Sequence, residues 1–172
     1  MMIDRNYIYR VVNIVRNALS LEVPISLENL IEKIESFGCR CVPVDSEELK
    51  VDAEMMISGA GEIEIRYLQN KPKYRVLFSI AHELGHLFLH YITDEDWAEK
   101  KNVVFQRNGK SSKQELEANE FAAELLMPEE MFLEVCKENM SDDKRINIAE
   151  VANYFNVSIQ AATVRGNVLR LW

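Results

Sequence analysis

The stretch from Leu77 to His90 limits the possible folds more than any other, because it has the pattern of a helix with two different sides. Its apolar residues recur at helical spacing on one side, and they are Leu77, Ile80, Ala81, Leu84, Leu87 and Phe88. His82 and His86 fall on the other side. The pattern predicts a helix that packs one face into the core and presents the other face to a cleft.

His82 and His86 are four residues apart, which is the spacing of a two-histidine metal clamp. On a helix this spacing corresponds to about 6 Å of rise and ~40° of rotation, so both imidazoles can reach one ion, for which we expect Zn2+. Two of the three histidines in the chain lie in this pattern, which favours a metal site. A buried histidine pair with ordinary hydrogen bonds also explains the pattern, and this alternative stays open.

Glu83 lies between the two histidines in sequence and is rotated about 100° from its neighbour on the helix. This position suits a carboxylate beside a metal ion and not on it. Zinc lowers the pKa of a bound water to about 7, and a neighbouring carboxylate can take its proton and deliver it to a leaving amine. We therefore expect Glu83 to be the catalytic residue.

A catalytic zinc site needs a third protein ligand and an open position. In the helix predicted over residues 113–127, Glu115 and Asn119 fall on the side that packs inward. The carboxylates predicted to face solvent are Glu117, Glu120 and Glu124. Because an inward carboxylate needs a partner or a metal, Glu115 is the preferred third ligand and Glu117 the alternative. We expect Asn119 to hydrogen-bond a ligand histidine.

His90 lies about 12 Å of rise beyond His82, too far for both rings to share one ion on an intact helix. We expect His90 to support the site from behind the ligands or to lie at the helix end, with a plain surface position as the alternative. The group that stabilises an oxyanion beside the metal stays open among Tyr91, Tyr154 and Arg165.

The remaining patterns predict an α+β fold that is mainly helical, with a small mixed or antiparallel sheet beside the histidine helix. Helices are predicted over residues 8–21, 26–37 and 129–138, with Ser26 as an N-cap. A strand is predicted over 39–44, and residues 54–58 and 62–67 should pair as a hairpin. The polar stretch from Asp94 to Ser112 is expected to be a loop.

A single domain over residues 1–172 is expected, with a catalytic core over about 6–138 and a helical segment over about 145–172. That segment has the outline of a helix-turn-helix, with two short helices and Ser158 as the N-cap of the second. Its second helix has only Arg165 and Arg170 as basic residues, which disfavours DNA binding. Packing against the catalytic core is the favoured interpretation.

The composition disfavours several classes of protein. The formal net charge is −8, which makes non-specific attraction to nucleic acid unfavourable. Three cysteines, an odd number, do not indicate a disulfide framework. The first residues lack the pattern of an export signal and no segment is apolar enough to span a membrane, so we expect a cytoplasmic protein without membrane contact.

Residues 75–90 (RVLFSIAHELGHLFLH) and 115–128 (ELEANEFAAELLMP) together resemble the ImmA/IrrE family of metallopeptidases. The resemblance implies a compact, gluzincin-like, cytoplasmic zinc peptidase, often encoded on prophages or other mobile elements, that cleaves a helix-turn-helix transcriptional repressor. Carried over to this sequence, His82, His86 and Glu115 match the family's metal ligands and Glu83 its catalytic acid/base. The alternative is a non-hydrolytic regulator or toxin-like partner of a helix-turn-helix protein, with a zinc site that is structural or idle.

Overall fold

A computed structural model describes residues 3–45, 47–57, 61–92, 103–104 and 113–172. The helices are α1 (Arg5–Ala18), α2 (Leu27–Ser36), α3 (Lys73–His86), α4 (Lys113–Leu126), α5 (Glu129–Glu138), α6 (Ile148–Tyr154) and α7 (Ile159–Val168). The strands are β1 (Arg40–Val44), β2 (Ala53–Ile57), β3 (Ile63–Leu68) and β4 (Val103–Val104). A π-helical turn, Leu87–Tyr91, continues α3 directly. The prediction of a mainly helical α+β fold is confirmed.

The four strands form one mixed sheet in the order β1-β3-β2-β4. The predicted hairpin is confirmed, since β2 and β3 are antiparallel with Met55 opposite Ile65. β1 joins the other side of β3 in parallel. Alternate residues of β2 are buried, and α3 packs against β2 and β3. The sheet therefore supports the histidine helix from one side, as the two-sided pattern of that helix predicts.

The prediction of a loop from Asp94 to Ser112 is wrong at two residues. Val103 and Val104 form β4, which pairs antiparallel with Ile57 and Met56 of β2. A strand of two residues is too short to show an alternating pattern, so the sequence carries no clear signal of it. The rest of the predicted loop lies outside the described residues.

Short polar side chains begin several helices, as the sequence predicts. The Ser26 hydroxyl accepts a hydrogen bond from the Asn29 N–H at 3.1 Å, and the Ser158 hydroxyl accepts one from the Ala161 N–H at 3.0 Å. Both N-cap predictions are confirmed. α3 begins four residues before Leu77, because Pro72 starts a polar first turn that has no apolar periodicity to reveal it.

α3 lies at the centre of the molecule and contacts α4, α2 and the sheet. Its apolar stripe forms part of the core, where Leu77, Ile80, Ala81 and Leu84 are at most 1% exposed. At Gly85, α3 approaches α4 closely, since a Cβ at this position would lie 2.9 Å from the Ala118 Cα. Over the part of the chain that is described, none of the helices combines the length and the apolar character that crossing a bilayer requires.

Candidate metal centre

α3 and α4 bring the three predicted ligand side chains together. The Nε2 atoms of His82 and His86 are 3.0 Å apart. Glu115, in the first turn of α4, places its carboxylate oxygens 3.4 Å from His82 Nε2 and 3.2 Å from His86 Nε2. Both histidines are buried and Glu115 is partly buried. Side chains this close across two helices form a compact set of donors.

The spacing of these donors fits a metal ion. Ligand atoms about 2.0–2.1 Å from a tetrahedral zinc lie roughly 3.3 Å from one another. The three separations, 3.0, 3.4 and 3.2 Å, surround that value. Two imidazole nitrogens and one carboxylate oxygen also match the donor set of catalytic zinc sites. His82, His86 and Glu115 could therefore hold a metal ion.

Glu117, the alternative ligand, has a different neighbour. Its Oε2 lies 3.2 Å from His90 Nε2, and its Oε1 lies 3.3 Å from the Lys113 ammonium. The predicted solvent-facing position of Glu117 is wrong, because its side chain is only 16% exposed. The geometry thus favours Glu115 over Glu117 as the third metal-binding side chain.

Each candidate ligand histidine has a partner on the ring nitrogen that faces away from the donor cluster. Asn119 Oδ1 lies 2.9 Å from His82 Nδ1, as the sequence predicts for Asn119. His90 Nδ1 lies 3.3 Å from His86 Nδ1, so His90 lies behind a ligand and not on the surface. Burial lowers the pKa of His90 below the ordinary histidine value, although the Glu117 carboxylate opposes this shift.

Glu83 is on α3 between the two histidines, and its side chain is buried in the closely packed centre of the fold. A buried glutamate beside a pair of candidate metal-binding histidines is suited to proton transfer.

The sequence of the chain has a clear family relationship. The family described as the IrrE N-terminal-like domain, a family of peptidases, matches residues 52–167, which is more than half of the chain. The chain belongs to this family. All four of His82, Glu83, His86 and Glu115 lie within the matched residues of the IrrE-like domain. Membership supports a metallopeptidase-type domain.

The fold of this IrrE-like domain has a solved counterpart. A Mycobacterium tuberculosis transcriptional regulator is similar with a TM-score of 0.66 and 17% sequence identity, over 93% of this chain and 46% of the regulator. At this identity the likeness shows the shared fold, and the chain spans about half the length of that regulator. No curated protein matches the chain.

Two further solvent-facing predictions are wrong in this IrrE-like domain. Glu120 and Glu124 are buried, at 7% and 6% exposure, because both pair with the fully buried Arg165 of α7. Arg165 also donates to the Met127 carbonyl at 3.1 Å and to the Tyr9 hydroxyl at 3.0 Å. A guanidinium held by these contacts has little freedom to stabilise an oxyanion.

The other two oxyanion candidates are in dissimilar places. Tyr91 is buried in the π-helical turn, among the core residues. Tyr154 is 41% exposed at the end of α6, where its ring meets Phe155 edge to face. Neither observation gives either tyrosine a role at the metal centre.

Sequence reasoning missed a groove of about 820 Å³ between α3, α4 and α7. Asn119 lines it, so the groove approaches His82 from the Nδ1 side. Its apolar lining includes Tyr74, Phe78, Leu116, Ala123 and Val164. Tyr74, Leu116 and Val164 are each at least 40% exposed. Apolar residues on the polar sides of predicted helices, such as Leu116 and Val164, are the signal that could have revealed the groove.

Proposed function

We propose that this chain is a zinc-dependent endopeptidase that cleaves a cytoplasmic protein. The observation that carries the proposal is the set of three donors from His82, His86 and Glu115, spaced as in a tetrahedral site, within a domain of a peptidase family. Glu83, buried beside the two histidines, is the proposed general base and acid.

The chemistry divides between the ion and the protein. A bound zinc ion supplies Lewis acidity, which polarises the peptide carbonyl and lowers the pKa of water to about 7. Glu83 accepts the proton of the attacking water and returns it to the leaving amine. Asn119 and His90 hold the two histidine rings in place through Nδ1. Burial of Glu83 and of both histidines restricts competing access of bulk water.

The proposed substrate is a helix-turn-helix transcriptional repressor, of the kind carried by prophages and other mobile elements. Support comes from the family relationship and from the fold shared with a transcriptional regulator. The net charge of −8 also favours a protein substrate over direct binding to nucleic acid.

The second candidate is a non-hydrolytic partner of a helix-turn-helix protein, in which the metal site is structural. A structural zinc site is normally closed by four protein ligands. Over the described residues the donor cluster contains three, His82, His86 and Glu115. A cluster of three donors, as the described residues form it, fits a catalytic site better than a closed structural one.

Metal analysis tests the ligand set. Purified wild type is expected to hold about one zinc per chain. His82→Ala and Glu115→Ala should lose most of it, because each removes one of three donors. Gln114→Ala, at an exposed position on the same helix, is the control and should keep the metal. Equal metal content in wild type and His82→Ala would refute the site.

Co-expression tests the activity. The chain, as wild type or Glu83→Gln, is expressed with a helix-turn-helix regulator encoded beside its gene. Loss of the intact regulator only with wild type is expected, because the amide keeps the shape of Glu83 but accepts no proton. Glu83→Gln should still hold zinc. Binding without cleavage by either form would favour the non-hydrolytic candidate.

A further inference from the structure

A row of three side chains extends from the candidate metal centre to the surface of α4. His86 Nδ1 meets His90 Nδ1 at 3.3 Å, and His90 Nε2 meets Glu117 Oε2 at 3.2 Å. The Lys113 ammonium lies 3.3 Å from the other oxygen of Glu117. His90 and Glu117 side chains are 11% and 16% exposed, so water has limited access to compete for these contacts.

The direction of hydrogen bonding along this row follows from which groups can donate. An ionised carboxylate only accepts, so Glu117 accepts hydrogen bonds from the Lys113 ammonium and from His90. His90 therefore carries its proton on Nε2 and donates it to Glu117. His90 Nδ1 is then an acceptor, and the group that faces it, His86 Nδ1, must be the donor.

This direction of hydrogen bonding determines which ring nitrogen of His86 carries the proton. A neutral imidazole with its proton on Nδ1 has its lone pair on Nε2. Nε2 is the atom that lies among the donors, 3.0 Å from His82 Nε2 and 3.2 Å from Glu115 Oε1. The opposite tautomer would direct an N–H bond at the place where a cation is bound.

We propose that Glu117 and His90 are positioning residues, which together keep the proton of His86 on Nδ1 and leave Nε2 free to bind the metal ion. The inference rests on the metal centre of the proposed function and extends it by two residues. Glu117, which the sequence offered as an alternative ligand, is then linked to the ligand His86 through two hydrogen bonds, by way of His90.

His82 differs from His86 in this respect. Its Nδ1 lies 2.9 Å from Asn119 Oδ1. An amide can rotate and present its NH2 group, so Asn119 by itself accepts either tautomer of His82. The row behind His86 ends in the Glu117 carboxylate, which only accepts. It therefore restricts the tautomer of His86 more than Asn119 restricts that of His82.

The tautomers can be read directly in the wild-type chain loaded with zinc, because without metal the Glu115 carboxylate, 3.2 Å from His86 Nε2, would itself accept a proton from that atom. Two-bond ¹H–¹⁵N correlation spectra distinguish imidazoles protonated on Nδ1 from those protonated on Nε2, and three histidines give few signals to assign. We expect His86 to be protonated on Nδ1 and His90 on Nε2. Protonation of His86 on Nε2 in wild type would overturn the proposal.

Two substitutions of His90 separate hydrogen bonding from packing. His90→Phe fills the space but offers no acceptor, and zinc affinity, measured by competition with a chelator, is expected to fall about 10- to 100-fold. His90→Asn keeps an acceptor oxygen near the position of Nδ1 and should bind zinc several-fold more tightly than His90→Phe. Equal affinity in the two variants, whether high or low, would contradict a role in accepting from His86.

Glu117→Gln tests the end of the row, because an amide can donate as well as accept. A mixture of His90 tautomers is expected in its spectrum, and unchanged tautomers would contradict the role of Glu117. The proposed activity can fail independently of these results. A chain that shows the expected tautomers and binds zinc but cleaves nothing would refute the peptidase and leave the inference in place.

Discussion

Glu115 and Glu117 show how two carboxylates two positions apart acquire different roles. Glu115 meets the two Nε2 atoms of His82 and His86, whereas Glu117 meets His90 and Lys113. The two side chains leave α4 in different directions, since successive residues rotate by about 100°. Their roles therefore differ because Glu115 reaches α3, whereas Glu117 reaches the π-helical turn that follows it.

The three cysteines illustrate how burial governs the chemistry of a residue. Burial raises the pKa of the Cys41 thiol to about 12, with a smaller contribution from the charge of Glu35. Burial also raises the pKa values of Cys39 and Cys136. All three cysteines are free, and such thiols contain little of the reactive thiolate near neutral pH.

Thiol labelling checks this expectation. At pH 8 we expect a disulfide reagent to react with the native chain much more slowly than with the chain unfolded in guanidinium, where three thiols should react at once. A free cysteine-containing peptide at the same pH serves as the control. Native labelling as fast as that of the peptide would show that the thiols are not protected.

At the scale of elements, the contact between α3 and α4 is decided by one glycine. A Cβ at Gly85 would lie 2.9 Å from the Ala118 Cα and 3.0 Å from its carbonyl oxygen. Both are backbone atoms, so they cannot rotate away as a side chain can. Gly85 is thus required for α4 to bring Glu115 to the histidines.

Gly85→Ala should therefore destabilise the protein, although helix propensity alone predicts that alanine stabilises a helix. Alanine stabilises an exposed helix by about 1 kcal/mol relative to glycine. Here we expect α4 to be displaced, with a loss of about 1–3 kcal/mol in the free energy of unfolding and weaker zinc binding. Urea unfolding and chelator competition measure the two effects.

Gly166→Ala is the matched control, because Gly166 is also helical. Its added Cβ would meet the ring of Trp172, a half-exposed side chain that can move. Zinc binding should be unchanged in this variant. If Gly85→Ala proved more stable than wild type, the close approach of α3 and α4 would not be required.

At the scale of the whole molecule, the buried ion pairs of Arg165 tie distant parts of the chain to the site. Arg165 on α7 pairs with Glu120 and Glu124 on α4, and its guanidinium contacts the Tyr9 hydroxyl on α1. Arg5 on α1 also pairs with Glu120, at 3.3 Å. Because α4 carries Glu115 and Asn119, the C-terminal helix contributes to holding the metal centre together. This supports the interpretation that the C-terminal segment packs on the catalytic core.

Removal of the Arg165 guanidinium should lower the free energy of unfolding substantially. Burial raises the pKa of Glu124 even with Arg165 beside it, so Glu124 is poorly solvated when charged. Arg165→Met leaves two buried carboxylates short of a partner, and we expect a loss of about 3–5 kcal/mol in the free energy of unfolding. Urea denaturation measures it.

Two further variants complete that experiment. Adding Glu120→Gln and Glu124→Gln to Arg165→Met should recover part of the loss, because the uncompensated charges are removed with their partner. Arg10→Met, at an exposed position on α1, should change stability by less than about 0.5 kcal/mol. A loss from Arg165→Met as small as that of Arg10→Met would show that the network does not stabilise the fold.

Features that depend on local spacing can be predicted from the amino-acid sequence of this chain. The helical period located the α3 helix with His82 and His86 on it, the N-caps Ser26 and Ser158, and the hairpin of β2 and β3. These follow from residues within one or two turns, where propensity and periodicity act. The predicted inward side of α4 is wrong, because Glu115 is 25% exposed and Asn119 is exposed, whereas Glu120 and Glu124 are buried. The role of Glu115 as a ligand stays a prediction.

Which polar residues are buried depends on contacts between elements that are distant in sequence. Periodicity placed Glu120 and Glu124 in solvent, because a helical wheel contains no information about an arginine 45 or 41 residues away. The row from Glu117 through His90 to His86 likewise depends on the packing of α4 against the π-helical turn. A charged side chain is stable inside a protein when a partner meets it there, and that partner is fixed by the three-dimensional packing of the whole chain.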